Sequence, residues 1–326
     1  MKRLLPIVAA ALLLTGCGSS GEQPRETATA GRVTVGISQF AGNPSLDAAR
    51  QGFVRALADG GYTEGENLTL DVRDAAGDQA AATESASHFA ATREDLVLGI
   101  ATPAAQPLVQ EMTDEPLLFT AVTDPVDAGL VDSTDAPGGN VTGTTDASPV
   151  AEQVKLVKQL APDAKTLGIL RSAGESNAQV QAEQVRKAAQ SEGLKVQEKT
   201  VASTDEVAQA AASLTTDALY VPTDSTVVAG MDAVVAAAQT RRIPLVVGDV
   251  DSVQRGAVAT RGIDYEQLGE QTGRMAVRIL KDGAAPGGMA VESPEETELV
   301  LNLRAARAMG VQVPQSLRDR ADTVID

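Results

Sequence analysis

From Val33 onward, short runs of β-branched and aliphatic residues alternate with longer Ala-rich stretches of helical period, and the alternation occurs twice. The β-branched, apolar character of these runs suits strands buried on both faces. The spacing predicts strands at 33–38, 68–72, 96–101, 117–121, 166–170, 195–200, 218–221, 245–247 and 258–262. Helices are predicted between them at 46–60, 80–92, 104–112, 150–160, 176–193, 206–214, 227–241 and 265–282. Several helices stop at glycine, as at Gly60-Gly61 and Gly193, where a left-handed cap is needed. A βαβα rhythm of this kind means parallel, doubly wound sheet.

The first pass of the rhythm ends near Thr145, after a pause at Pro137-Gly138-Gly139-Asn140, and the second begins near Pro149. The expected architecture is α/β: two doubly wound, Rossmann-like lobes with a ligand cleft between them. The chain is expected to recross near Asp249 and Pro286, which makes three hinge crossings. Residues 33–145 plus 249–285 would form the N-terminal lobe, and 146–248 plus 286–326 the C-terminal lobe. One continuous large sheet is the alternative.

Before this stands an export signal over residues 1–16: Met1-Lys2-Arg3, an apolar run from Leu4 to Leu14, then Thr15-Gly16-Cys17. The run is too short to cross a bilayer as a permanent helix. A cysteine at the exit looks like a bacterial lipobox, in which Cys17 becomes the first mature residue and carries a diacylglycerol thioether; a simple secretion signal is the alternative. Residues 17–32 are rich in Gly, Ser, Glu, Thr and Ala, cannot bury a core, and read as a flexible tether. Two or three acyl chains would hold such a protein at the outer face of the cell membrane. Cys17 is the only cysteine, so no internal disulfide forms. The formal charge of −17 falls to about −19 without Lys2 and Arg3. That acidity argues against nucleic-acid binding.

In open parallel sheets, ligands sit beyond the carboxyl ends of the strands. The loops there carry the candidate ligand-binding residues: Phe40, Thr102, Pro103, Ala104, Ala105, Thr123, Asp124, Glu175, Asn177, Asp224, Asp249 and Tyr265. Thr102 reads as an N-cap with Pro103 at the first helical position, leaving the Ala104 and Ala105 amides free to meet an anion. A merely well-capped helix reads equally well. Any one of the aspartates is more often an N-cap than a ligand contact. Together they suit a zwitterion, with amides for its carboxylate and Asp224 with Glu175 for its ammonium. Phe40 and Tyr265 are the aromatic walls on offer.

Enzyme signatures are poor. His88 is the only histidine and reads as a helix-surface residue, so no Ser-His-Asp set or Cys/His metal set is available. No Walker A loop and no helix-opening GxGxxG occurs. Asp249 and Asp251 lack the later ligands of a calcium loop. No cofactor, no metal and no catalytic residue is expected.

At the same loops the chain resembles the substrate-binding lipoproteins of ABC importers associated with tryptophan and other aromatic amino acids. The matching stretches include Asn43-Pro44-Ser45-Leu46-Asp47, Gly61-Tyr62-Thr63-Glu64-Gly65, Ala101-Thr102-Pro103-Ala104-Ala105-Gln106, Thr120-Ala121-Val122-Thr123-Asp124-Pro125, Tyr220-Val221-Pro222-Thr223-Asp224 and Asp264-Tyr265. The resemblance covers nearly the whole mature chain. It implies a type I periplasmic-binding fold, a monomer that delivers its ligand unchanged to a membrane permease driven by an ATPase. Three departures stand out: Asn43 replaces a histidine, Ser225 an asparagine, and Arg171 a tyrosine, which removes an aromatic wall and adds a cation. The leading expectation is a binding protein for an amino acid or similar small zwitterion. A sugar- or nucleoside-binding protein, or a ligand-sensing lipoprotein without transport, are the alternatives.

Overall fold

The first sheet collects β1 (Val33–Gln39), β2 (Leu68–Asp74), β3 (Leu96–Ile100), β4 (Leu117–Val122) and β5 (Val141–Thr145) in the order β2-β1-β3-β4-β5. Every pairing in it is parallel. These coordinates are a computed structural model that describes residues 32–294 and 296–326. The signal segment, Cys17 and the tether through Gly31 lie outside the described residues. β3 and β4 are buried along their whole length because helices cover both faces. On one face α1 (Pro44–Asp59) and α10 (Tyr265–Asp282) bring Phe53, Leu57, Leu268 and Met275 against Ile37 and Leu98. On the other, α2 (Gln79–Thr92) and α3 (Thr102–Glu111) set Phe89, Leu108 and Met112 against Val97 and Phe119.

The second sheet contains β6 (Thr166–Ser172), β7 (Lys195–Val201), β8 (Ala218–Val221), β9 (Leu245–Val247), β10 (Ala259–Gly262), β11 (Glu298–Asn302) and β12 (Thr323–Ile325). Their order is β12-β11-β10-β9-β8-β6-β7, and only β10 and β11 run antiparallel. Around it lie α4 (Val150–Leu160), α5 (Ser176–Ser191), α6 (Val207–Ser213), α7 (Ser225–Ala229), α8 (Met231–Arg241), α9 (Val250–Gln254), α11 (Leu303–Ala308) and α12 (Gln315–Arg318). The result is two doubly wound α/β lobes.

Two of the expected lobe boundaries differ from the observed ones. Residues 249–262 belong with the second sheet, because β10 pairs with β9 and β11. The chain therefore recrosses at 263–264 rather than near Asp249. It also stays with the first lobe past Pro286. Glu292 bridges to Thr144, and its amide donates to the Gly143 carbonyl at 3.0 Å. Thr142 Oγ1 donates to the Met289 carbonyl at 2.7 Å. The last crossing thus follows Glu292.

The return of α10 to the first lobe rests on glycine. A Cβ on Gly269 would sit 1.9 Å from the Ala49 carbonyl oxygen, and one on Gly52 would sit 2.0 Å from that of Glu266. The two helix backbones touch directly, and any side chain must push them apart. Overpacking of this kind costs about 1–3 kcal/mol or more. Gly269→Leu is therefore expected to lower the unfolding free energy by at least that amount, read as a lower urea midpoint at unchanged m-value, whereas Gly283→Asn, at the open left-handed cap of α10, should leave the midpoint nearly unchanged.

Candidate ligand-binding site

The carboxyl ends of the strands in both lobes face a cavity whose interatomic space is about 330 Å³, part of it open to solvent. Its wall is built from helix beginnings. Asn43, Ser45 and Leu46 come from α1, Ala101 from the cap of α3, and Asn177 from the first turn of α5. Asp224 and Ser225 open α7, Asp249 caps α9, and Tyr265 begins α10. Ala121, Asp146, Thr223 and Val228 complete it. Six helix N-termini give the wall an electropositive backbone that favours an anionic group. Three aspartates, and no Lys, Arg or His, supply its side-chain charge.

Each aspartate is held by donors. Asp146 Oδ1 accepts from Thr123 Oγ1 at 2.8 Å and its Oδ2 from the Tyr265 hydroxyl at 2.6 Å. Asp224 Oδ1 accepts from the Val227 amide at 2.8 Å, and its Oδ2 from the Ser172 amide. Asp249 Oδ1 accepts from the Ser252 amide at 2.7 Å and from Ser45 Oγ at 3.2 Å. Burial pushes all three carboxyls up from the usual aspartate range. For Asp224, the neighbouring Glu175 carboxyl adds to the rise. Burial and the Asp146 charge also push the Tyr265 hydroxyl well up, so it remains a donor.

Of the residues expected from sequence, Asn177, Asp224, Asp249 and Tyr265 meet on this wall. Thr123 stands behind it, holding Asp146. The α3 expectation is corrected: Ala101, not Thr102, is the N-cap, and the Ala104 and Ala105 amides both donate to the Ala101 carbonyl at 3.1 Å. They are not free for an anion. Thr102 and Pro103 are buried helix residues beside the wall. Glu175 turns to α7, accepting from the Ser225 amide at 3.0 Å and from the Thr226 amide and hydroxyl at 2.9 and 2.7 Å. Its oxygens are thus engaged by α7, and it lines a neighbouring groove with Phe40. Asp124 caps its own turn through the Val126 and Asp127 amides and does not line the cavity. Arg171 pairs with Glu198 on β7 at 2.7 Å, so its cation does not reach the wall. His88 pairs with Asp71 at 2.6 Å on the outer side of the first lobe.

Sequence reading missed Asp146, because the strand before it was not recognised, and Ala101 and Ala121. Both alanines have positive φ, 77° and 56°. Ala101 combines it with ψ 152°, a region that is almost entirely glycine's. Ala121 stands at the shift in register between Phe119 and Val122, which re-aims β4 at its end.

The lobes touch across the cleft. Ser45 of α1 reaches Asp249 of the second lobe, and Thr123 meets Gln181 at 3.4 Å and Thr223 at 3.5 Å. Residues 34–325 match the family described as ABC transporter substrate binding protein. The chain belongs to that family. A curated relative of this substrate-binding protein, named tyrosine-binding protein, from Clostridioides difficile strain R20291, is 37% identical over 95% of this chain and 93% of its own. A Streptococcus pneumoniae ABC domain solved in complex with L-Trp is 36% identical, covers 90% of this chain and 100% of its own, and superposes with a TM-score of 0.86. The ligand-free, open structure of a substrate-binding protein with adhesive properties from Clostridium difficile is 39% identical over 90% of this chain and 99% of its own, yet its TM-score is 0.67. Substrate-binding proteins of ABC transporters are extracytoplasmic, and no helix among the described residues is long and apolar enough to cross a membrane.

The raised carboxyls make stability pH-dependent. An acid whose folded-state value lies above its unfolded value of about 4 leaves the native state holding more protons, so stability falls as pH rises through that window. The ligand-free protein is expected to melt at a higher temperature at pH 5 than at pH 8. Asp249→Asn should flatten the slope. Equal melting temperatures across that range would show that these carboxylates are not desolvated.

Proposed function

We propose that this protein is the extracytoplasmic receptor of an importer for an L-amino acid with an aromatic side chain, tethered to the membrane through a lipid on Cys17. The observation that carries the ligand class is the charge layout of the cavity. Helix N-termini give the wall a positive backbone potential for a carboxylate, three buried aspartates give it side-chain charge for an ammonium, and no cationic side chain lines it. A zwitterion satisfies both halves; an anion without an ammonium meets three acids, and a cation without a carboxylate meets six helix N-termini.

The remaining wall supports an aromatic side chain. Leu46, Ala101, Ala121, Val228 and the ring of Tyr265 are apolar. The relative named tyrosine-binding and the neighbour holding L-Trp, at 37% and 36% identity, support the same reading. Such a protein binds and releases its ligand unchanged. Its partners are the permease and its ATPase, and it acts as a monomer. Membrane attachment is supported by the Leu14-Thr15-Gly16-Cys17 sequence and the low-complexity tether that follows.

A thermal-shift series tests the ligand class. At a hundredfold excess over Kd, a ligand that binds only the native state adds about 2.7 kcal/mol, enough to raise Tm by several degrees in a domain of this size. L-tyrosine, L-tryptophan or L-phenylalanine should produce that shift, while glucose, ribose and nucleosides should not. A shift with a sugar and none with any amino acid would replace this reading by the sugar one. Anchoring is tested separately: Cys17→Ser should move the protein from the membrane fraction to the medium or leave unprocessed precursor, and mass spectrometry of the wild type should find a diacylglyceryl cysteine.

A further inference from the structure

The edge strands of the two sheets are β2, β5, β7 and β12. An uncovered edge offers a row of unpaired N–H and C=O groups to another strand. β5 is covered: Glu292 donates to the Gly143 carbonyl at 3.0 Å and accepts from the Thr145 amide at 2.9 Å. β12 is only 3 residues long. β7 is guarded by charge, since pairing it with a second copy about its central Gln197 sets Lys195 against Lys199. β2 is the exception. Its inner side pairs with β1 from Leu68 to Asp74, and no described strand pairs with its outer side.

The chemistry of β2 suits pairing with itself. Val72 is 45% exposed, one of the few large hydrophobic side chains that are. Asp71 and Arg73 flank it and point to the opposite face of the strand. In an antiparallel two-fold pairing, one residue lies opposite itself and its two neighbours lie opposite each other. Centred on Val72, this sets Asp71 opposite Arg73 of the second copy, and Arg73 opposite its Asp71. Centred on Asp71, Arg73 or Asp74, like charges meet. Centred on Leu68, Thr69 or Leu70, no unlike pair forms. Arg73 is also poorly served within its own chain. Its Nε lies 3.8 Å from Asp71 Oδ1, beyond hydrogen-bond distance, and is buried without a hydrogen-bond partner. Asp71 Oδ2 is held by His88 at 2.6 Å, which fixes the carboxylate beside the edge.

We propose that the outer edge of β2 is a self-association surface, on which two copies pair antiparallel about Val72 and join their 5-stranded first sheets through two Asp71–Arg73 pairs. The ligand cavity lies beyond the strand ends rather than at this edge, so each copy still binds its own ligand. A contact one strand long falls below the size of a permanent interface, so the dimer is weak and reversible in dilute solution. Anchoring through Cys17, on the reading above, confines the copies to one surface and raises their effective concentration.

Sedimentation velocity on the mature chain carrying Cys17→Ser, which removes the lipid and the only native thiol, tests the contact without a membrane. The dimer fraction should rise with protein concentration. Arg73→Asp and Asp71→Arg each oppose like charges and should raise the dissociation constant by about tenfold or more. Mixed in equal amounts, the two variants should pair with each other as the unmodified strand pairs with itself, because every opposed pair is again unlike. Oxidation of Val72→Cys should link two copies by a disulfide, whereas Leu70→Cys, which faces Asp74 in this register, should stay unlinked. Circular dichroism checks that each variant folds, and the Val72→Cys link carries the test if a charge variant does not. A chain that stays monomeric at every concentration overturns the proposal. So does a dimer that survives both charge variants, a loss that mixing fails to restore, or the absence of a Val72→Cys link.

Discussion

A carboxylate taken out of water must be surrounded by donors, and this requirement organises the middle of the molecule. Asp146, Asp224, Asp249 and Glu175 are all buried where strands end and helices begin. Helix N-termini are the places in an α/β fold where unpaired amides are available. Asp224 spends its oxygens on α7 and on the end of β6, and Glu175 clamps α7 from the start of α5. Asp249 uses one oxygen for α9 and for Ser45, and its other oxygen has no hydrogen-bond partner. N-capping and ligand contact are therefore not rival roles for such a residue. A carboxylate has two oxygens, and the helix needs only one of them.

Much of this was legible because the strand rhythm is strong. Buried parallel strands write apolar runs, and most of the nine strands read from the sequence carry one. Three strands were not recognised, β5, β11 and β12; β11 reads Glu-Leu-Val-Leu-Asn and is as apolar as those that were, while the other two have weaker chemistry. β5 reads Val-Thr-Gly-Thr-Thr, and its burial is satisfied by hydroxyl pairing rather than by aliphatic packing. Thr144 Oγ1 lies 2.9 Å from that of Thr120 and 2.7 Å from that of Thr272. β12 is a three-residue edge strand, too short to show a period. Missing β5 concealed Asp146, since the rule that ligands gather beyond strand ends can only be applied where the strand is seen. The same rule located Asn177, Asp224, Asp249 and Tyr265. It misjudged α3 by one residue, and that shift moved the Ala104 and Ala105 amides into the helix's own hydrogen bonding.

The backbone at Ala101 and Ala121 could not be read at all, because alanine carries no signal of positive φ. Both residues end adjacent central strands, and both line the cavity. A residue held in such a region costs on the order of 1–3 kcal/mol, which the surroundings must offset. At Ala101 they do so with three hydrogen bonds: its amide to the Thr120 carbonyl, and its carbonyl from the Ala104 and Ala105 amides. Glycine would relieve the strain but leave the turn looser in the unfolded and folded chain alike. A larger residue would add bulk to a wall whose width depends on a methyl group. Alanine is the compromise that keeps the wall both smooth and stiff.

The hinge and the cavity share their parts. Asp146 follows β5 where the chain first leaves the first lobe, and Tyr265 follows the return crossing at 263–264. Their hydrogen bond joins two of the three crossings directly behind the wall. The third crossing is held by the same helix: Gln271 of α10 donates to Glu292 at 2.8 Å and to the Ser293 carbonyl at 3.1 Å, and Arg278 pairs with Glu292. α10 is in turn locked to α1 by the glycine contact, and the first turn of α1 carries Ser45, which reaches Asp249. One rigid helix pair thus connects all three crossings to the residue that spans the cleft.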